Sequence, residues 1–172
     1  MKPSSLVKIS LLVLCVIGIF LFSHCAEEKK TSSGLAPNFT LKTLDGKEIT
    51  LSQFKGKVVV LDFWATWCAP CQQSIPHLIQ LYKDYRESGF VLVGMSVDRG
   101  DVEVVRRYIE SMDIPYPILT TPEEVVRAYR VTGIPATFLI DKEGKIRKRI
   151  TGFNPTIAKQ LTAEVADLTS EK

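Results

Sequence analysis

The sequence contains little histidine and little cysteine. Its 172 residues include two histidines and four cysteines, and Cys15 and Cys25 lie in an N-terminal segment unlike the rest of the chain. The remaining part offers Cys68, Cys71 and His77 as its ligands besides carboxylates, whereas a structural zinc ion requires four tetrahedral ligands. We therefore expect no metal site and no bound cofactor.

An excess of charge of one sign is also absent. Lysine and arginine number 22 against 19 aspartates and glutamates, which gives a net charge of +3. The densest basic stretch is residues 145–150, and its alternation predicts a strand with Ile146, Lys148 and Ile150 on one face and a solvated basic face on the other. No second basic tract or aromatic interleaving accompanies it, so we expect no nucleic acid partner.

A long apolar run is missing as well. Residues 9–22 are uncharged, but they fall short of the roughly 18 apolar residues of a typical spanning helix. With Lys2 and Lys8 before them they have the form of an export signal. Cys25, which follows this run, resembles the acylated cysteine of a bacterial lipoprotein, although His24 stands where such proteins usually have a small residue. Lipidation, an uncleaved anchor and simple secretion are all compatible, and each places the folded part outside the cytoplasmic membrane.

Composition divides the chain into three parts. Residues 1–25 form the predicted signal peptide or membrane anchor. Residues 26–35 are charged, then rich in serine and glycine, which predicts a flexible tether. Residues 36–172 are long and apolar enough to bury one core, so we expect a single domain there.

The apolar patterning of residues 36–172 alternates between strand and helix. It predicts an N-terminal β-hairpin extension that turns at residues 44–47, followed by two buried strands at residues 58–63 and 90–97. Helices are predicted at residues 69–87, 101–112 and 122–129, then a hairpin at residues 137–151 and a closing helix from Pro155. This order predicts an α/β fold in which helices flank a central mixed sheet.

The segment Trp67-Cys68-Ala69-Pro70-Cys71 follows the first buried strand and opens the first long helix. A disulfide between its cysteines closes too small a ring to restrict the unfolded chain, so reversible redox chemistry explains the pair better than stabilisation does. The helix N-terminus should lower the pKa of the Cys68 thiol. We therefore expect Cys68 to attack a substrate disulfide and Cys71 to resolve the mixed disulfide.

Four motifs in this order resemble the thioredoxin superfamily, specifically its membrane-tethered TlpA-like branch with the ResA-like and CcmG-like proteins. They are Ala36-Pro37-Asn38-Phe39 with Leu44-Asp45-Gly46-Lys47, then Gly56-Lys57-Val58-Val59-Val60, then Phe63 to Cys71, and then Gly133-Ile134-Pro135-Ala136-Thr137 up to Asp141. The similarity covers essentially everything after the tether. It implies a thioredoxin-like fold and thiol-disulfide oxidoreductase activity.

The resemblance implies further site residues. Asp62 matches the buried aspartate that relays a proton to or from the inner thiol, here Cys71, and burial should raise its pKa. The alternative is an aspartate on the solvent side of an edge strand. The pair Ile134-Pro135 matches a cis-proline loop that offers backbone N–H and C=O groups to an extended substrate segment.

The two tryptophans and one substitution complete the expected site. We expect Trp67 to cover Cys68 on the exposed rim, whereas Trp64 suits the core at least as well. Many TlpA-like reductases carry a glutamate three residues after the second cysteine, and this chain has Ser74 there. We expect Asp62 to take over proton handling.

Two other functions share this fold. A peroxiredoxin-like peroxidase has Thr or Ser three residues before its reactive cysteine and Pro seven before, whereas Cys68 follows Ala65 and Leu61 at those places. A Sco-like copper-delivery protein has a Cys-x-x-x-Cys motif and a remote histidine, whereas two residues separate Cys68 from Cys71 and no histidine follows His77. Both alternatives therefore fit the sequence less well than a thiol-disulfide oxidoreductase does.

The compartment favours one direction of the reaction as a hypothesis. Because thiol chemistry outside the cytoplasm is oxidative by default, a tethered dithiol there is better explained as a reductant of particular partners. The resemblance implies exported proteins with disulfides as substrates, for example apocytochrome c, and a membrane electron donor of the DsbD or CcdA type.

Overall fold

The computed structural model describes residues 34–171. The predicted signal or anchor, Cys25 and most of the predicted tether lie outside this range. Within it, no helix combines the length and the apolar character needed to cross a membrane.

The described chain begins with the predicted hairpin. Strands β1 (Thr40–Lys42) and β2 (Glu48–Thr50) pair antiparallel, and a 3-10 helix at Leu51–Phe54 follows. The turn between the strands contains Gly46, whose φ of 84° is a left-handed conformation that favours glycine.

A five-stranded mixed sheet forms the centre of the domain, in the order β5-β4-β3-β6-β7. Its strands are β3 (Val58–Trp64), β4 (Phe90–Ser96), β5 (Ile118–Thr120), β6 (Ala136–Ile140) and β7 (Ile146–Thr151). The middle strand β3 is buried along its whole length, parallel to β4 and antiparallel to β6. Its uninterrupted apolar sequence therefore reflects a position that is covered on both faces.

Four α-helices accompany the sheet. They are α1 (Ala69–Tyr85), α2 (Val102–Met112), α3 (Glu123–Ala128) and α4 (Pro155–Ser170). Helices α1 and α2 each join neighbouring parallel strands in the same direction across the sheet, so right-handed crossovers place both on one face. Ile75, Val105 and Leu161 of α1, α2 and α4 share one apolar cluster there. Val125 of α3 packs with Ile49 of the hairpin in a second cluster.

Alternate residues of β3 contribute to these two clusters. Val58, Val60 and Trp64 belong to the cluster with α1, and Val59, Leu61 and Phe63 belong to the cluster with α3. Successive side chains of a strand point to opposite faces. Asp62 belongs to the same alternating series as Val60 and Trp64. It therefore lies on the face of the sheet that packs against α1.

The structure differs from the sequence predictions at two strands. The sequence predicted no strand at Ile118–Thr120, because three residues carry too little periodicity to show one. The expectation that Ile146 and Ile150 share a face is wrong: Ile146 packs with the α3 cluster and Ile150 with the α1 cluster. The cause is a shift in the β6–β7 register between Leu139 and Ile140, which breaks the alternation.

Candidate active site

The two-cysteine motif lies where β3 passes into α1. Strand β3 ends at Trp64, helix α1 begins at Ala69, and Cys68 is the N-cap residue. Pro70 occupies the first turn, where a helix needs no donor from its backbone N–H. A disulfide joins Cys68 to Cys71. The motif therefore occupies the strand-to-helix position that the sequence predicts.

The two cysteines differ in their surroundings. Cys71 is fully buried in the α1 cluster, whereas Cys68 is 5% exposed. The Cys68 Sγ accepts a hydrogen bond of 3.3 Å from the Cys71 N–H. In the reduced protein a Cys68 thiolate at this position would keep that bond and face the positive end of the helix dipole. Cys68 is therefore the more exposed of the two cysteines and the one at the helix N-terminus.

Asp62 is a buried carboxyl group on the same face of the sheet as Cys71. Its side chain is 1% exposed, and the Thr137 Oγ1 on β6 donates a 2.9 Å hydrogen bond to the Asp62 Oδ1. Burial raises the pKa of Asp62 from 3.8 to about 7, and the Thr137 hydrogen bond opposes part of that rise. The alternative of a solvent-facing aspartate on an edge strand is wrong. A carboxyl group with this pKa exchanges its proton near neutral pH.

The Ile134–Pro135 peptide bond is cis, as the motif predicts. Strand β6 runs antiparallel to β3, and Ala136 at its start pairs with Phe63 near the end of β3. The loop before β6 therefore lies next to the C-terminal end of β3, which is the edge of the sheet that carries the motif. Pro135 is buried, and Ile134 packs against the cluster that contains both cysteines. The structure thus brings the proline loop and the redox motif to the same edge.

The two tryptophans occupy opposite environments. Trp67 is 69% exposed, whereas Trp64 is buried and packs on Tyr108 with 5.5 Å between ring centroids. A Cβ added to Gly94 would lie 3.0 Å from the Trp64 Nε1 and 2.3 Å from the Ile118 Cδ1, so this strand position has no room for a side chain. Trp64 is therefore a core residue and Trp67 a surface residue beside Cys68.

Ser74 is buried, and its hydroxyl donates a 2.8 Å hydrogen bond to the Cys71 carbonyl one turn earlier. Because the Ser74 hydroxyl donates its proton to a carbonyl of its own helix, that proton is not available to the Cys71 sulfur. Asp62 is the buried acid on the same face of the sheet as Cys71.

His77, further along α1, is half-buried beside Phe153, and burial lowers its pKa. Residues 34–171 contain no group of three or more histidine, cysteine or acidic side chains arranged to hold a metal ion.

One contact at the motif was not predicted from the sequence. The carboxylate of Asp98, after β4, accepts hydrogen bonds from the N–H and the hydroxyl of Thr66, in the loop before Cys68. The parallel pairing of β3 and β4 places the residues after both strands at one edge, which is the signal that could have indicated it.

Known proteins resemble this chain over most of its length. The AhpC/TSA family matches residues 34–149. The thiol-disulfide oxidoreductase ResA of Bacillus thuringiensis subsp. konkukian is 38% identical over 148 residues, which cover 84% of this chain and 85% of that protein. ResA of Bacillus subtilis is 36% identical over 147 residues, which cover 84% of this chain and 82% of that protein.

A solved structure shares the fold. The thiol:disulfide interchange protein of the thioredoxin family from Chlorobium tepidum superposes with a TM-score of 0.73 at 31% identity, and the match covers 80% of this chain and 97% of that one. The disulfide at the start of α1 and the mixed sheet flanked by helices agree with these relatives. The chain therefore belongs to the AhpC/TSA family and, within it, to the thioredoxin-like thiol-disulfide oxidoreductases that include ResA.

Proposed function

We propose that this protein is an extracytoplasmic, membrane-tethered reductase of disulfides in exported proteins. The observation that carries the proposal is the Cys68–Cys71 disulfide at the N-terminus of α1, with its inner sulfur buried on the same face as Asp62. Because only two residues separate its cysteines, this disulfide can be reduced and formed again without loss of the fold.

The reaction begins with the reduced protein. The Cys68 thiolate attacks one sulfur of the substrate disulfide; that bond breaks, a Cys68–substrate disulfide forms, and the departing substrate thiolate takes a proton from water. Cys71 then loses its proton to the Asp62 carboxylate and attacks the Cys68 Sγ. The second substrate thiolate leaves and the Cys68–Cys71 disulfide forms. Two electrons have passed to the substrate, and a membrane electron donor of the DsbD or CcdA type would restore the dithiol.

The substrate segment docks at the edge of the sheet that carries the motif. Trp67 offers an exposed aromatic face there. Within residues 34–171 the backbone groups of Ile134 make no hydrogen bond, so its N–H and C=O are available to an extended segment. Pro135 has no backbone N–H to donate. An unfolded exported chain such as apocytochrome c, with paired cysteines in an extended segment, suits this edge.

The described part of the chain begins at the end of the sheet opposite the motif. Leu35 forms an antiparallel bridge with Lys145, and the Ala36 N–H donates to the Gly144 carbonyl at 2.9 Å. Lys145 precedes β7, and β7 ends at the edge where β3 leads into the motif. Residues 1–25 would serve as the signal or anchor, with Cys25 as the acylated residue if the protein is a lipoprotein.

The reduction potential of the Cys68–Cys71 pair tests the direction of the reaction. Equilibration of the full chain with a glutathione redox buffer, followed by alkylation of free thiols and intact-mass analysis, gives this potential. A reductase should have a potential near that of thioredoxin, about −270 mV. A value near that of DsbA, about −120 mV, would make the protein an oxidant and overturn the proposal.

A further inference from the structure

Side chains hold the loop between β3 and α1 from both sides of Thr66. The Asp98 Oδ1 accepts the Thr66 hydroxyl at 2.6 Å, and the two carboxylate oxygens lie 3.2 and 3.1 Å from the Thr66 backbone nitrogen. On the other side, the Gln72 Nε2 of α1 donates a 2.8 Å hydrogen bond to the Thr66 carbonyl. Both backbone groups of the residue that precedes Trp67 are therefore bound by side chains.

The Asp98 carboxylate is itself fixed. Its Oδ2 accepts the Ser96 hydroxyl at 2.9 Å, and the Asp98 N–H donates to the same hydroxyl oxygen at 3.2 Å. The Ser96 carbonyl accepts the Thr121 N–H at 2.8 Å, which ties this strand end to the segment after β5. The charge-assisted bonds to Thr66 thus start from a rigid part of the sheet.

The residues next to Thr66 are the ones that meet a substrate. Trp67 is 69% exposed, and Cys68 is the more exposed of the two cysteines. The backbone of an unsupported loop would sample many conformations, whereas a loop whose residue before Trp67 is hydrogen-bonded on both sides presents Trp67 and Cys68 from one backbone position. Side chains that lock the support of a reacting group in this way act by preorganisation.

We propose that Asp98 is a positioning residue for protein substrates: through Thr66 it holds Trp67 and Cys68 in the arrangement that a disulfide-bearing protein segment docks against. This inference rests on the proposed role of Cys68 as the attacking thiol. It assigns Asp98 no contact with the substrate and no proton transfer. Loss of the Asp98 carboxylate should therefore slow the reaction strongly with substrates that lie across Trp67 and only slightly with substrates that need the Cys68 thiolate alone.

The test compares two substrates in single turnover. The full chain is reduced, freed of reductant, and mixed with either an oxidised peptide that carries a Cys-x-x-Cys-His segment or a small aromatic disulfide. We expect Asp98→Ala to slow the reaction with the peptide by about tenfold and the reaction with the small disulfide by less than about twofold. Asp98→Asn, which keeps an acceptor oxygen for Thr66, should recover most of the peptide rate.

The matched control is Asp101→Asn in the same loop. Asp101 accepts the Glu103 N–H at 2.9 Å as the N-cap of α2, and this variant removes one negative charge without touching Thr66. It should react with both substrates at the wild-type rate. Equal peptide rates for Asp98→Ala and Asp101→Asn would overturn the inference, as would an equal loss with both substrates.

A second variant covers the case in which Asp98→Ala does not fold. Thr66→Val keeps the backbone N–H but loses the 2.6 Å hydroxyl contact. We expect it to slow the peptide reaction by about threefold and leave the small disulfide unaffected, and an unchanged peptide rate would contradict the inference. Failure of the proposed function has a different signature, because in that case the wild-type dithiol itself would not reduce the peptide.

Discussion

Replacement of Asp62 by asparagine should make the protein more stable at neutral and alkaline pH while it impairs the reaction. The carboxyl group is 1% exposed, and burial raises its pKa from 3.8 to about 7. Asparagine has nearly the same shape, keeps an oxygen for the Thr137 hydroxyl, and carries no charge. The substitution therefore removes the cost of ionising a buried group and little else.

The sign and the size of the change in unfolding free energy follow from proton linkage at Asp62. Between pH 3.8 and about pH 7 the folded state holds the Asp62 proton while the unfolded state has lost it. The stability that Asp62 contributes is thus fully present below pH 3.8 and is lost as the pH rises through about 7. At about 1.4 kcal/mol for each pKa unit, a rise of about 3 units corresponds to about 4 kcal/mol in total. About 3 kcal/mol of that loss falls between about pH 5 and about pH 8.

Urea unfolding of the oxidised wild-type protein and of Asp62→Asn, from about pH 5 to about pH 8, measures this difference. Because every other group titrates alike in both proteins, the difference between their unfolding free energies isolates Asp62. It should grow in favour of Asp62→Asn by a few kcal/mol across this range. A constant difference, or an Asp62→Asn protein that is less stable than wild type at about pH 8, would refute the assigned burial and pKa.

The same variant tests the proton relay. With no carboxylate to accept the Cys71 proton, resolution of the mixed disulfide should slow at about pH 6 to 8. Stopped-flow mixing of each reduced protein with a disulfide peptide separates attack from resolution. An unchanged resolution rate across that range would remove Asp62 from the mechanism and leave its burial as a structural feature.

Three further predictions concern the supports of the site and the fold. Thr137→Val removes the hydrogen bond that lowers the pKa of Asp62, so the stability loss described above should shift to higher pH, and a midpoint at lower pH would contradict this. Gly94→Ala places a Cβ 2.3 Å from the Ile118 Cδ1, and urea unfolding should show a loss of about 1 to 3 kcal/mol; a variant as stable as wild type would show that the strand has room. Asn154→Ala removes the N-cap side chain of α4, which should cost about 1 kcal/mol in the same measurement without a change in the reduction potential of the cysteines.

The sequence predicts those parts of the fold that depend on local patterns. The run at Val58–Trp64 is apolar because β3 is buried on both faces, and the motif after it opens a helix because proline and an N-cap residue suit a first turn. The motif around Pro135 predicts the cis bond before it through family resemblance.

Contacts between distant segments leave no local pattern in the sequence. The Asp62–Thr137 bond joins residues 75 positions apart, and the Thr66–Asp98 bonds join residues 32 positions apart. The sequence marks Asp62 because a carboxyl group is out of place in an apolar strand. Asp98 follows a strand end, where a polar residue is ordinary, so nothing local marks it. The shift of register in β7 depends likewise on pairing with β6, which the alternation of Ile146 and Ile150 does not reveal.

Trapping of the mixed disulfide tests the order in which the two sulfurs react. The full-length variants Cys71→Ser and Cys68→Ser, reduced and mixed with an excess of a disulfide peptide, are analysed by intact mass and by mapping of the modified cysteine. Cys71→Ser should accumulate a one-to-one adduct at Cys68, because the attacking thiol is present and the resolving thiol is absent, whereas Cys68→Ser should form little adduct at the buried Cys71. An adduct at Cys71 that forms as fast as the one at Cys68 would contradict the assignment of Cys68 as the attacking thiol.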